Sequence, residues 1–505
     1  MKFNNKSTRD CMSETKKNAL SIKRAEDFSK WYQAVISESG LAERSSVRGC
    51  MVIKPFGYTI WENMQSILDK KFKELGHVNA YFPMFIPIDL FQKEADHING
   101  FAKEMAIVTH SKLENIDGKL TPTGKIETPL AIRPTSEMII GESFSKWIKS
   151  YRDLPILVNQ WCNVVRWEMR TRLFLRTMEF LWQEGHTAHE TEDEAREETI
   201  RMHDVYHWFI NDVLKIYCIK GKKPVHEKFP GAVDTYTIEA MMQDGKALQC
   251  ATSHFLGQHF SKAVGIQFQA RDGSLQYAYT TSWGISTRMI GGLIMSHADD
   301  DGLNTPISIA PYHIVIIPII KNEDDKERVL DYADRIKSSV PSHYRIYIDT
   351  KDIPSQNKKW DYIRKGTPII CEIGIKDIEN SSIYFTRRQP QITKNSLKFD
   401  EFIGSVSKIL EEHDESLYQK SMMNSESKTR RDIKNIDEFK EFFSSEDNGF
   451  VIGKWSEDPK SLKILDELGV TVRCCPIKND SIKSDGRCIL TGKDAKNDYI
   501  FARSY

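Results

Sequence analysis

Two apolar runs constrain the fold more than any other part of the chain. They are PILVNQWCNVVRWE (Pro155 to Glu168) and FLRTMEFLWQEGH (Phe174 to His186), either side of a short charged turn, Met169 to Leu173. Runs of this length and β-branched and aromatic content read as strands, and the brief connection makes them an antiparallel hairpin with Arg166 and Glu168 near its tip. Further solid stretches upstream, among them YFPMFIPI from Tyr81, read as strands of the same antiparallel sheet. Helices flank it. YTIWENMQSILDKKFKELG places Ile60, Met64, Ile67, Leu68, Phe72 and Leu75 at helical spacing and closes on Gly76. Thr191 followed by Glu194 forms a capping box for a long helix running through Tyr206 and Phe209 toward Tyr217.

At 505 residues the chain exceeds one hydrophobic core, so two or three domains are expected. DDDGLNTP (Asp299 to Pro306) is a turn-rich acidic seam, beyond which the pattern changes. HIVIIPI, YRIYID, PIICEIG and SIYFTRR are short solid strands, separated by helical segments such as 327–340, as in an α/β domain with a mostly parallel sheet. QKSMMNSESKTRRDIKN (Gln419 to Asn435) reads as a polar linker to a small α+β segment ending at Tyr505. The expected boundaries are 1–303, 304–418 and 436–505.

The composition, 40% hydrophobic and 28% charged, is that of a soluble globular protein, and no apolar run approaches the length needed to cross a bilayer. The first residues hold no apolar stretch that would serve as a signal peptide, which places the protein in the cytoplasm. Nine cysteines, an odd number scattered over a long chain, form no disulfide framework. Lys+Arg and Asp+Glu both number 71, so a nucleic-acid partner would need a local basic face. Two runs offer one, 351–365 and 428–434, and a solvated loop accounts for each equally well.

Arg166 lies in NQWCNVVRWE and Arg288 in TSWGISTRMIGG. Joining a carboxylate to a nucleoside triphosphate requires several negative charges to be cancelled together, and guanidinium forks do this bidentately without losing their protons. The pair points to nucleotidyl transfer rather than hydrolysis or redox chemistry. By itself, an Arg two residues before a Glu on a strand is an ordinary surface ion pair; the flanking patterns give it weight.

Those patterns are RGCMVIKPFGYTIWENM with YFPMF, AIRPTSE, NQWCNVVRWE followed by FLRTMEFLWQEGH, TSHFLGQHF, SWGISTRMIGG and the terminal FARSY, in this order from Arg48 to Tyr505. Together they resemble class II aminoacyl-tRNA synthetases, and among these the prolyl-tRNA synthetases of archaeal and eukaryotic type. The resemblance implies a multidomain α/β and α+β architecture: an antiparallel-sheet catalytic domain, an α/β anticodon-binding domain and a small α+β C-terminal domain. It implies that ATP and L-proline give prolyl-adenylate and pyrophosphate, with transfer to tRNA(Pro), Mg2+ held mainly by the ATP phosphates, and a homodimer joined through residues 48–85. By the same resemblance Arg166 and Arg288 are catalytic. Arg166, Glu168, Arg176, Thr177, Gln249, Thr252, Ser286 and Arg288 would bind ATP. Thr135, Glu137, Arg166, Trp182, Glu184, His186 and His254 would hold proline, with Phe101 and Glu104 on a loop closing over it. A slot sized for proline rejects smaller residues by only about 1 to 3 kcal/mol, so some activation of alanine or cysteine is expected. No inserted editing segment is recognisable between Glu168 and Arg288.

Three other signals weigh less. His97 to Gly100 (HING) fits a short class I synthetase signature with none of its context. His203 and His207 sit four apart, as zinc ligands do, but lack the Glu that follows the first His in metalloproteases. Met241 and Met242 read as core. The chain also departs from the resembled family. Residues 112–119 look like an inserted polar loop before RPTSE. The anticodon-reading stretch aligns with Tyr362, Ile363, Lys365, Gly366 and Ile370; its isoleucines offer no hydrogen bonds to bases, leaving Trp360, Lys365 and Arg388 as substitutes. Only Cys474, Cys475 and Cys488 remain of a four-cysteine set, with Thr491 in the last place, so no structural zinc is expected.

Overall fold

The structure is a computed structural model describing residues 20–91, 105–445, 448–477 and 486–505. Strand Ile156–Val165 lies antiparallel to strand Glu179–His189, with Cys162 opposite Trp182 and Gln160 opposite Glu184. Their connection is longer than the short turn read from the sequence, since residues 166–178 all leave the ladder. Burial explains this. Phe174 and Leu175 are 2% and 3% exposed, drawn into the core beside helix Phe28–Glu38, whose Tyr32 hydroxyl donates to the Leu173 carbonyl at 2.7 Å. Arg172 and Arg176 exchange backbone hydrogen bonds across the intervening residues, where Phe174 takes a φ of 61°.

From this hairpin the sheet extends through strands Tyr279–Ser286, Ala247–Gly257 and Asp234–Met241 to Cys218–Lys222, antiparallel at every step. Strand Val78–Asn79 adds to the other edge in parallel. Helix Glu192–Trp208, started by the Thr191–Glu194 capping box, and helix Arg288–His297 share the core that covers it. Helix Pro55–Glu74 ends before Gly76, whose φ of 91° suits the expected stop.

Three sequence expectations need correcting. YFPMFIPI contributes only strand Phe85–Pro87, which belongs to a separate three-stranded sheet with strands Ala106–Ile116 and Lys119–Ile132. Residues 112–119 are therefore the tip of a long hairpin rather than a loop. Asp117 and Gly118 turn it with φ of 52° and 79°, and an Asp-Gly turn of this kind nucleates a hairpin whatever the polarity of its flanks. The supposed linker 419–435 is largely the end of helix Phe399–Ser427. Its Leu417, Ser421 and Ser425 are buried at four-residue spacing, where small hydroxyl side chains allow a close approach that a hydropathy pattern misses.

Beyond Cys218–Lys222 the sheet continues into strands Thr471–Pro476, Asn497–Ala502, Phe450–Trp455 and Thr429–Arg430, giving eleven strands. The C-terminal segment is thus joined to the catalytic sheet by a strand pair, with Cys475 opposite Lys222. Gly221 makes the join possible, because a Cβ there would lie 2.2 Å from the Cys474 sulfur.

The region after the acidic seam holds a five-stranded mixed sheet. Strand Ile314–Pro318 pairs in parallel with Ile346–Ile348 and Ile369–Ile373, and strands Ser382–Arg387 and Thr393–Lys398 follow antiparallel. Ile363 and Ile370 are each 1% exposed in its core. Arg388, expected to contact RNA, is instead buried at the domain junction, donating to both carboxylate oxygens of Asp299 at 2.8 and 2.6 Å. Within the first basic run Lys358 is buried against Asp349 and Lys365 pairs with Asp361 at 2.6 Å, which removes much of the basic face. No helix among the described residues is long and apolar enough to cross a membrane.

Candidate active site

The hairpin loop, the three strands beside it and the start of helix Arg288–His297 enclose a cleft with two compartments. The larger, of about 340 Å³, is lined by Thr135, Glu137, Trp182, Glu184, His186, Gln249, Thr252 and His254. The smaller, of about 260 Å³, is lined by Glu168, Arg176 and Thr177, and both share Arg166, Phe180, Ser286 and Arg288. Every expected site residue among those described therefore falls in one continuous cleft. Phe101, Glu104 and the HING segment lie outside the described residues.

Arginines dominate the smaller compartment. Arg288 donates from Nε to the Leu175 carbonyl at 3.2 Å and from Nη1 to the Gln249 carbonyl at 3.5 Å. Burial, then the nearby Arg166 and Arg176 cations, lower its pKa to about 10. Cations held this close in a buried site repel one another, which favours a polyanion there. Arg166 is fixed by a bond from Nε to the Pro134 carbonyl at 3.0 Å, with its guanidinium 5.6 Å and 5.5 Å from the Phe180 and Trp182 ring centres. It lines both compartments. Glu168 accepts from the Arg170 amide at 2.7 Å, and the buried Thr177 hydroxyl has no hydrogen-bond partner among the described residues.

The larger compartment is walled by Trp182 and floored by carboxylates and histidines. Thr135 donates to Glu137 Oε2 at 2.5 Å. Glu184 Oε1 accepts from the Ser136 hydroxyl and from Gln160 Nε2 at 2.6 Å, while Oε2 meets His186 Nε2 at 3.1 Å. Burial alone would raise the Glu184 pKa, but His186, Ser136 and Gln160 outweigh it and hold the carboxyl below its usual range. His186 moves the other way: burial lowers it, and the Glu184 and Glu137 carboxylates raise it more. His254 stays neutral, pushed down to about 3 by burial and the His186 and Arg166 charges, with Nδ1 3.0 Å from the Thr235 hydroxyl. Gly185 between Glu184 and His186 must lack a side chain, since a Cβ would lie 2.1 Å from the Trp283 ring.

A second wall has no signal in the sequence. Glu227, Lys228, Phe229 and Pro230 line the larger compartment, and the Phe229 ring stacks on His254 with centroids 4.5 Å apart. KPVHEKFPG shows no periodicity, and only the fold brings it to the cleft.

The remaining candidates have structural roles. His203 donates from Nε2 to the Thr237 carbonyl at 2.9 Å, and Met241 and Met242 are buried. Cys474 and Cys475 pack into different clusters from successive strand positions, and Cys488 is hydrogen-bonded to Ser456 and Thr491. Among the described residues no three His, Cys, Asp or Glu side chains converge as metal ligands do.

Comparison with known proteins agrees with this geometry. Residues 123–297 match the tRNA synthetase class II core domain (G, H, P, S and T), 313–409 an anticodon binding domain and 436–505 the prolyl-tRNA synthetase C-terminal domain. The chain is 49% identical over 503 residues to the proline–tRNA ligase of Paramagnetospirillum magneticum, covering 98% of this chain and 100% of the relative. It is likewise 49% identical over 509 residues to that of Protochlamydia amoebophila, with 98% and 100% covered. A crystal structure of the Cryptosporidium parvum prolyl-tRNA synthetase, complexed with halofuginone and AMPPNP, superposes with a TM-score of 0.88 at 35% identity, covering 98% of each chain.

Proposed function

Because the chain belongs to the proline–tRNA ligase family, we propose that the two compartments divide its substrates, ATP in the smaller and proline in the larger, with Arg166 between them. The reaction is that of the family: L-proline and ATP give prolyl-adenylate and pyrophosphate, and the prolyl group passes to the 3′ end of tRNA(Pro). The cation cluster of Arg288, Arg166 and Arg176 carries the assignment of compartments.

In adenylation a proline carboxylate oxygen forms a bond to the α-phosphorus as the bond to pyrophosphate breaks, so the substrate supplies its own nucleophile and the protein positions and neutralises. Arg166 spans the α-phosphate and the carboxylate. Arg288 takes the γ-phosphate, Arg176 and Thr177 supply further donors, and Glu168 accepts from the adenine amino group. Gln249, Thr252 and Ser286 line the nucleotide side. A Mg2+ brought with ATP would be held mainly by the nucleotide and would neutralise phosphate charge, in keeping with a smaller compartment richer in arginine than in carboxylate.

On the proline side the Trp182 and Phe229 faces hold the ring. Glu184 is already engaged by Ser136, Gln160 and His186, which leaves Glu137, with Thr135, as the acceptor for the secondary ammonium. His254 and His186 close the slot. The protein acts in the cytoplasm as a homodimer. Steady-state pyrophosphate exchange tests the division: Glu137→Gln raises KM for proline roughly tenfold or more and leaves KM for ATP in place. A rise in both constants together would overturn it.

A further inference from the structure

The cysteine behind the aromatic wall is not part of either compartment, yet it touches two residues that are. Cys162 lies on strand Ile156–Val165 directly opposite Trp182. The Trp182 indole N–H donates to the Cys162 sulfur at 3.1 Å, and the thiol points to Glu184 Oε1 at 3.5 Å. That same oxygen accepts from Ser136 and Gln160. Burial, and then the Glu184 charge, push the thiol well above its usual range, so it remains S–H and can accept from the indole while donating to the carboxylate.

We propose that Cys162 is a positioning residue for the amino-acid pocket, a sulfur relay that ties the Trp182 ring to the Glu184 carboxylate and so fixes the wall against which proline rests. The inference depends on the reading that proline lies against Trp182. The χ2 torsion of a tryptophan is broad, and the indole N–H is the atom that selects one face of the ring for the cleft. Cys162 is the hydrogen-bond partner of that N–H. The Arg166 guanidinium also packs 5.5 Å from the ring centre, and Phe180 meets the ring edge-on at 6.0 Å. Cysteine suits the position for a physical reason. Its long, soft bonds span the two strands without drawing Trp182 and Glu184 together, and its high pKa avoids a second anion beside Glu184.

The test uses the full-length protein in proline-dependent pyrophosphate exchange, comparing wild type with Cys162→Ala and Cys162→Ser, each alone and with Trp182→Phe. Loss of one neutral hydrogen bond of this kind is worth about a tenfold change, so Cys162→Ala raises KM for proline about that much, with KM for ATP and kcat nearly unchanged. Cys162→Ser, which can also accept and donate, recovers most of the loss. In the Trp182→Phe background, which has no N–H, Cys162→Ala adds nothing further. The relay is overturned if Cys162→Ala leaves KM for proline at the wild-type value, if KM for ATP rises equally, or if the full effect of Cys162→Ala persists beside Trp182→Phe. Absence of proline-dependent exchange in the wild type would instead remove the pocket assignment, and this inference with it.

Discussion

Replacing Arg473 with Met removes one end of a buried ionic network between the C-terminal strands and the catalytic sheet. Arg473 donates from Nε to Glu239 Oε2 at 3.0 Å and from Nη2 to Oε1 at 3.2 Å, while Lys223 Nζ lies 3.1 Å from Oε1 and the Thr237 hydroxyl 3.0 Å. Glu239, Lys223 and Arg473 are 0%, 4% and 7% exposed. Burial pushes the Glu239 pKa up, and the Arg473 and Lys223 charges more than reverse this. Breaking a buried pair by removing one partner costs about 3 to 5 kcal/mol, and because Lys223 and Thr237 stay on the carboxylate the lower end applies here. The opening of strand Thr471–Pro476 should therefore become easier by about 3 kcal/mol, which is roughly a hundredfold. Amide hydrogen exchange resolved by peptide reads this: residues 471–476 and 497–502 exchange roughly a hundred times faster in Arg473→Met, while strand Ile156–Val165 is unaffected. Acceleration of less than about tenfold at 471–476 would refute the view that this network holds the eleven-stranded sheet together.

Other outcomes follow from the same structure. Gly185→Ala drives a Cβ into the Trp283 ring, costing about 1 to 3 kcal/mol of stability, and it displaces Glu184 and His186 so that KM for proline rises; an unchanged melting temperature would contradict the packing. Acid should destabilise the fold between about pH 6.5 and 4. Burial lowers His203 and His297 to about 4 and His413 to about 3, so these groups stay neutral when folded but take up protons when unfolded, and stability is lost as pH falls through 6.5. Each such histidine is worth on the order of 3 kcal/mol at the acid end, and a flat melting temperature from pH 7 to 4.5 would sink this. Arg388→Met frees Asp299 at the domain junction, so charging of tRNA(Pro) falls several-fold while pyrophosphate exchange is unchanged; a fall in both would mean the contact supports the catalytic domain itself.

What the sequence made legible was local. The antiparallel pairing of strands Ile156–Val165 and Glu179–His189 follows from two adjacent apolar runs, whereas its register does not, because the connection is longer than the charged turn; the capping box at Thr191 needs only four residues. The class II core and most residues of the cleft were reached through long ordered motifs, which carry position as well as chemistry. The misses were tertiary. Phe229 reaches the cleft on an irregular loop, so no period marks it. Arg388 looked like a nucleic-acid contact because a cation in a polar stretch does not reveal that Asp299, far away in sequence, will bury it. Residues 112–119 and 419–427 were polar enough to read as loop and linker. An Asp-Gly turn and two small serines, at Ser421 and Ser425, gave them regular structure instead.

The most direct measurement is amino-acid-dependent exchange of pyrophosphate into ATP by the wild type and by Arg166→Ala, with proline, alanine, cysteine, threonine and histidine. The account predicts strong exchange with proline, weak exchange with alanine and cysteine, none with the other two, and loss of the proline signal by at least a hundredfold in Arg166→Ala. Equal exchange with threonine or histidine, or full proline exchange without Arg166, would contradict the cleft as the site where proline and ATP meet.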